Sequence, residues 1–137
     1  MRLDPAAFLA SPELVEVLGE LATPVDCRQQ RQLFHQGETP AGLYILIDGS
    51  AEMSLATEDG AKILTSKVQP GSLLGLPGLI GNQPYSLTAT ADPGAKVSFI
   101  TRTDFEALMR TDPQISFRIL QILAAEVRTA RQAIPIV

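Results

Sequence analysis

Cysteine and histidine each occur once in 137 residues, as Cys27 and His35, and tryptophan does not occur at all. One cysteine excludes an intramolecular disulfide and a four-thiolate iron–sulfur cluster. One histidine cannot supply the several imidazoles of a metal-binding barrel enzyme. Excess positive charge is also missing: 11 Lys and Arg face 15 Asp and Glu, for a net charge of −4. The chain therefore lacks the basic face that neutralises nucleic-acid phosphates. No run approaches the ~20 apolar residues needed to span a bilayer. The opening segment, MRLDPAAFLASPELVEVL, breaks at Ser11-Pro12 and has an early acid in place of a signal-peptide core. The expected location is the cytoplasm.

Catalytic groupings are absent in the same way. Ser86, Thr88 and Thr90 alternate along a strand-like stretch, but no base is placed to activate them, and no paired carboxylates mark a site. The expectation is a protein that is not an enzyme and that carries neither metal nor cofactor. Cys27 reads as an ordinary thiol ahead of the first strand, with Arg28 beside it able to lower its pKa somewhat.

What is present is a core and many turns. Hydrophobic residues make up 45% and charged residues 19%, enough apolar content for one folded domain. Ten Gly and ten Pro favour short strands over a helical bundle. Residues 5–21 read as one or two short helices, with Asp4 and Ser11 as N-caps ahead of Pro5 and Pro12. Pro24 is expected to stop this run. Six segments then read as strands: 32–36, 43–47, 51–57, 61–68, 86–91 and 96–101. Asp48-Gly49 and Asp59-Gly60 are hairpin signals between them. Thr103 is expected to open a short helix, and Asp112-Pro113 a longer one.

On that last helix Phe117, Leu120, Ala124, Val127, Arg131 and Ile134 step by three and four residues, a coiled-coil-like seam. Ile115, Ile119 and Ile122 form a second apolar stripe. If one stripe packs on the β body, the other needs a partner. Arg102, Arg110, Arg118, Arg128 and Arg131 are interspersed with Asp104, Glu106, Asp112 and Glu126, which reads as a solvated helix surface.

The stretch Pro70–Ala91, PGSLLGLPGLIGNQPYSLTATA, carries the most functional information. It has the glycines and small polar residues of a ligand-cradling turn and no charged side chain. An anion-binding turn usually brings an arginine or lysine to its ligand. Gly71, Gly75, Gly78 and Gly81 fit neither a P-loop nor a dinucleotide fingerprint.

In order and motifs the chain resembles the cyclic-nucleotide-binding sensor domain of catabolite-activator-type (Crp/Fnr) bacterial regulators. Leu33-Phe34-His35-Gln36-Gly37-Glu38 and Leu43-Tyr44-Ile45-Leu46-Ile47-Asp48-Gly49 match that family's first motif, and the likeness runs from about Pro5 to about Arg131. It implies a mainly β fold: an eight-stranded jelly roll (double-stranded β-helix) at 25–102, N-terminal helices at 1–24 and C-terminal helices at 103–134, all within one domain spanning 1–137. It also implies a homodimer through the C-terminal helix at Phe117, Leu120, Ala124, Val127 and Arg131. In the family a glutamate after the cassette glycine holds the ribose, and an arginine before a small residue pairs with the cyclic phosphate. Here Gly75 and Ser86 match the glycine and the small residue. Leu76 stands at the glutamate's place, Tyr85 at the arginine's, and Leu87 where the family usually has alanine. A hydrogen bond to a charged group contributes about 1.5–3 kcal/mol; without two of them, affinity falls by roughly two to four decades.

The ligand pocket is therefore expected at Gly75, Leu76, Pro77, Gly78, Leu79, Tyr85, Ser86 and Leu87, with Tyr85 plugging it. Amides at the start of the Pro77-Gly78-Leu79 turn could partly offset the missing cation. The family's regulators continue into a helix-turn-helix that this chain does not contain, which suggests a sensor-only relative making no direct nucleic-acid contact and free of the membrane. The expected function is regulatory sensing without ordinary cyclic AMP binding. The alternatives are a structural dimerisation or protein-interaction module with a filled pocket, or a sensor of a cyclic mono- or dinucleotide held by unusual contacts.

Overall fold

The structure, a computed structural model, describes residues 3–133. Two four-stranded antiparallel sheets lie beneath a layer of helices. A 3-10 turn, Pro5–Phe8, and helix α1, Pro12–Gly19, open the chain, capped by the side chains of Asp4 and Ser11 as expected. Eight strands follow: β1 Thr23–Val25, β2 Arg31–Phe34, β3 Gly42–Asp48, β4 Ala51–Ala56, β5 Lys62–Val68, β6 Leu73–Leu74, β7 Thr88–Ala91 and β8 Lys96–Thr101. Helix α2, Leu76–Gly81, interrupts them, and α3, Arg102–Thr111, and α4, Pro113–Ala133, close the described chain. The fold is mainly β with a C-terminal helix. Among the described residues no helix is long and apolar enough to cross a membrane.

The strand orders are β1-β8-β3-β6 and β2-β7-β4-β5. Alternation along β3 explains the layering. Leu43 and Ile45 enter one core with Leu14, Leu18, Leu73, Ile100, Phe105, Ile115, Ile119 and Ile122. Leu46, with Tyr44 packed against it, enters the other with Phe34, Met53, Leu64, Val68, Ala89 and Val97. Since successive side chains on a strand face opposite ways, the β3 sheet is covered by helices on one face and by the second sheet on the other.

Several expectations change. Asp59-Gly60 does close a β4–β5 hairpin, but Asp48-Gly49 carries the chain from one sheet to the other. Turn chemistry fixes a reversal, whereas strand pairing depends on which apolar faces meet. Pro24 lies inside β1 and does not end a helix; β1 is an edge strand bonded only to β8, where a missing N–H is tolerated. The cap of α3 is Thr101, whose side chain accepts from the Asp104 N–H, not Thr103. Asp112 caps α4 through bonds from the Gln114 and Ile115 amides. The two-residue strand β6 and helix α2 are too short to announce themselves by periodicity.

Candidate functional site

The expected cassette begins at Gly75, the N-cap of α2, with φ +102°. That left-handed backbone favours glycine, and space requires it too: a Cβ there would stand 2.7 Å from Cε1 of Tyr85. Tyr85 is 4% exposed. Its ring stacks on Phe34 at 3.9 Å between centroids, and Phe34 in turn meets Tyr44, which meets Phe99. Its hydroxyl donates to the Gly42 carbonyl oxygen at 2.7 Å. Burial pushes the phenol's pKa up, and the bond to Gly42 only partly offsets this. The backbone is fixed as well: the Tyr85 N–H donates to the Glu38 carbonyl at 2.9 Å, and the Gly37 N–H donates to the Tyr85 carbonyl at 2.8 Å. Tyr85 is thus bonded at both backbone ends and at its ring tip to the β2–β3 connection and the start of β3.

Gly42 was not anticipated. A Cβ on it would stand 2.0 Å from the Ile100 carbonyl oxygen and 2.6 Å from the Phe99 ring. Only glycine lets β3 approach β8 closely here, and its carbonyl completes the tyrosine's bonding.

The eight expected pocket residues lie close together but face different ways: Gly75 and Gly78 abut Tyr85. Leu76 and Leu79 pack into the helix-side core with Leu14, Leu43 and Phe105, whereas Tyr85 belongs to the inter-sheet core. The Leu79 amide, one of those expected to be free for an anion, donates to the Gly75 carbonyl at 3.2 Å. Pro77, Ser86 and Leu87 line a cavity of about 250 Å³ beneath α4, with Leu3, Phe8, Leu55, Leu64, Val127 and Ala130. The other polar lining groups are Glu126 and Thr129.

Glu126 does not lie on a solvated surface as its charge pattern suggested. It is 8% exposed, and its Oε2 has no hydrogen-bond partner among the described residues. Desolvation raises its pKa to about 8. The signal for this was positional: Ile122, Leu123 and Ala130 lie four and three residues before it and four after, which puts a lone acid within an apolar stripe. Thr129, one turn on, accepts from the Asp4 N–H at 2.7 Å and ties the N-terminal segment to α4.

The two stripes of α4 separate cleanly. Ile115, Ile119 and Ile122 are buried in the helix-side core. Phe117, Leu120 and Val127 are 61%, 54% and 49% exposed, and Ala124 and Arg131 are exposed beside them. Ile134, the last member of the expected seam, lies outside the described residues. His35 is exposed just past β2. Cys27 follows β1 and is buried; burial raises its pKa, and Arg28 pairs with Asp26 at 2.8 Å. That arrangement gives no activated thiolate.

A family model described as the cyclic nucleotide-binding domain matches residues 24–112. The chain belongs to the cyclic nucleotide-binding domain family. This domain is 25% identical over 117 residues to the CRP-like cAMP-activated global transcriptional regulator of Mycobacterium tuberculosis, covering 85% of the chain and 52% of that protein. It is 26% identical over 103 residues to the cAMP-activated global transcriptional regulator CRP of Salmonella typhimurium, covering 74% and 49%. The chain spans about half the length of these curated relatives, which are regulators by name. The catabolite activator protein of Thermus thermophilus has the same fold: the TM-score is 0.78 at 23% identity, over 97% of this chain and 62% of that one.

Proposed function

We propose that this cyclic nucleotide-binding domain is a non-enzymatic regulatory module, built on a jelly-roll body within one domain, that does not take a cyclic phosphate. Tyr85 carries this reading. At the position where the family resemblance expects a phosphate-pairing arginine, a neutral ring is buried, stacked and hydrogen-bonded. A phosphate entering there would displace that ring and find no cation, and a buried charge without a counter-charge is strongly disfavoured. The cavity beside the plug is the remaining space in which occupancy could be sensed. One wall is α4, so a ligand with different affinity for two positions of α4 would move the helix.

The exposed seam at Phe117, Leu120, Ala124 and Val127 supports a homodimer through α4 as the output surface. Three large apolar side chains in a row along one helix face are the arrangement a helix partner covers. This surface equally supports the second reading, a dimerisation module whose cassette is simply filled.

Calorimetry with cyclic AMP, cyclic GMP and cyclic di-GMP tests the first reading. The expected result is no saturable heat at micromolar concentrations. Tight, saturable uptake of any of the three would overturn it.

A further inference from the structure

The Tyr85 hydroxyl has a partner, but Oε2 of Glu126, in the cavity lined by the neighbouring Ser86 and Leu87, has none among the described residues. We infer that the cavity beneath α4 holds a small, mostly apolar organic amine, with its ammonium on the Glu126 carboxyl and its hydrocarbon part against Phe8, Leu55, Leu64 and Leu87. The inference rests on the reading that this domain senses something other than a cyclic phosphate.

Three observations lead to it. The carboxyl is more than nine-tenths buried, lines the cavity and has an oxygen without a partner among the described residues. Such a group is costly to maintain in a folded protein and calls for an occupant. The cavity, at about 250 Å³, lies at the small end of ligand pockets, which suits a molecule with one small ring or a short chain. Its remaining lining is apolar apart from the Ser86 and Thr129 hydroxyls, as ligand pockets with a single orienting group are.

Charge selects the head group. No lysine or arginine lines the cavity among the described residues. The nearby lysines are engaged elsewhere, Lys62 with Glu52 and Lys67 with Asp92, and the Asp4 carboxylate accepts from the Ala6 N–H. These described charged groups of β4, β5 and the N-terminal turn thus have partners of their own, and Arg128 on α4 is exposed. An anionic ligand would set like charges together in a poorly screened site. A hydrocarbon would leave the oxygen as it is. An ammonium brings donors and a counter-charge. Its binding sends the carboxyl proton to solvent, so affinity rises as pH climbs through about 8.

The test compares 2-phenylethylamine with its neutral and anionic analogues, 2-phenylethanol and phenylacetate. Each is titrated into the full chain by NMR at pH about 9, where the carboxyl is ionised and the amine still protonated. The expected result is saturable binding of the amine at least about tenfold tighter than the alcohol, with no binding of phenylacetate. Glu126→Gln should abolish the amine's advantage, and Ala130→Leu should fill the cavity and weaken both. Should Glu126→Gln fail to fold, the amine-to-alcohol ratio in the wild-type chain and its fall at pH about 6 decide the matter. Equal affinities, no saturable binding, or an advantage retained in Glu126→Gln would overturn the inference. Cyclic AMP titrated in parallel separates the two readings: its binding overturns the proposed function, whereas silence toward both cyclic AMP and the amine overturns only the amine site.

Discussion

Tyr85 and Glu126 are both buried polar residues near the cassette, but their surroundings treat them in opposite ways. Tyr85 is clasped: a stacked ring beneath it, a carbonyl at its hydroxyl and backbone bonds on either side. Glu126 faces a cavity with one carboxyl oxygen unpaired among the described residues. The difference separates a group that maintains structure from one that waits for something. A satisfied buried polar group adds specificity at little cost, whereas an orphan one carries its full desolvation penalty.

The largest expected effect would break the clasp. Tyr85→Ala should destabilise the domain by about 3–5 kcal/mol, the usual range for removing a buried aromatic ring, as read by urea unfolding. A loss below about 1 kcal/mol would mean that the ring fills no essential space. Glu126→Gln should act in the other direction. The folded carboxyl holds its proton up to about pH 8, whereas the unfolded one releases it near 4.5. Between those values the native state binds more protons, so wild-type stability should fall as pH rises across this window. At ~1.4 kcal/mol per pH unit the ceiling is about 5 kcal/mol. The variant should lose that slope and gain about 1–3 kcal/mol near pH 9; a wild-type stability that rises over the same window would contradict the burial of the carboxyl.

Tyr85→Phe sharpens the comparison by keeping the ring and removing only the hydroxyl. It leaves the Gly42 carbonyl without that donor and should cost about 1–2 kcal/mol. The smallest effect on folding is expected at the seam. Phe117→Glu should change monomer stability by no more than about 0.5 kcal/mol, yet convert a dimer to a monomer in sedimentation velocity. An unchanged sedimentation coefficient would remove α4 as the dimer surface.

Much of the fold was legible because its signals are local. Asp4, Ser11 and Asp112 marked helix starts through side chains that reach their own next turn. Alternation marked the longer strands. The Crp/Fnr-like motifs around Gly37 and Gly49 pointed to the family that the comparisons then showed. What stayed hidden depends on distant partners. Nothing near Gly42 in sequence reveals that Ile100 and Phe99 crowd it or that Tyr85 bonds to it. Asp48-Gly49 has the residues of a hairpin turn, but pairing sends its two strands into different sheets. Leu76 and Tyr85, read together as a lost pair of ligand contacts, sit in different cores.

By itself the sequence determined that the stretch Pro70–Ala91 carries no charged side chain, because a side chain's charge travels with its identity: leucine and tyrosine offer no cation to a phosphate in any fold. It also set two apolar stripes on the last helix. Only the tertiary structure decided which stripe is covered, that the tyrosine is locked in place, and that one acid among many surface charges is denied water. Burial and pairing are relations between residues far apart in the chain, and they exist only once the two sheets and the helix close over them.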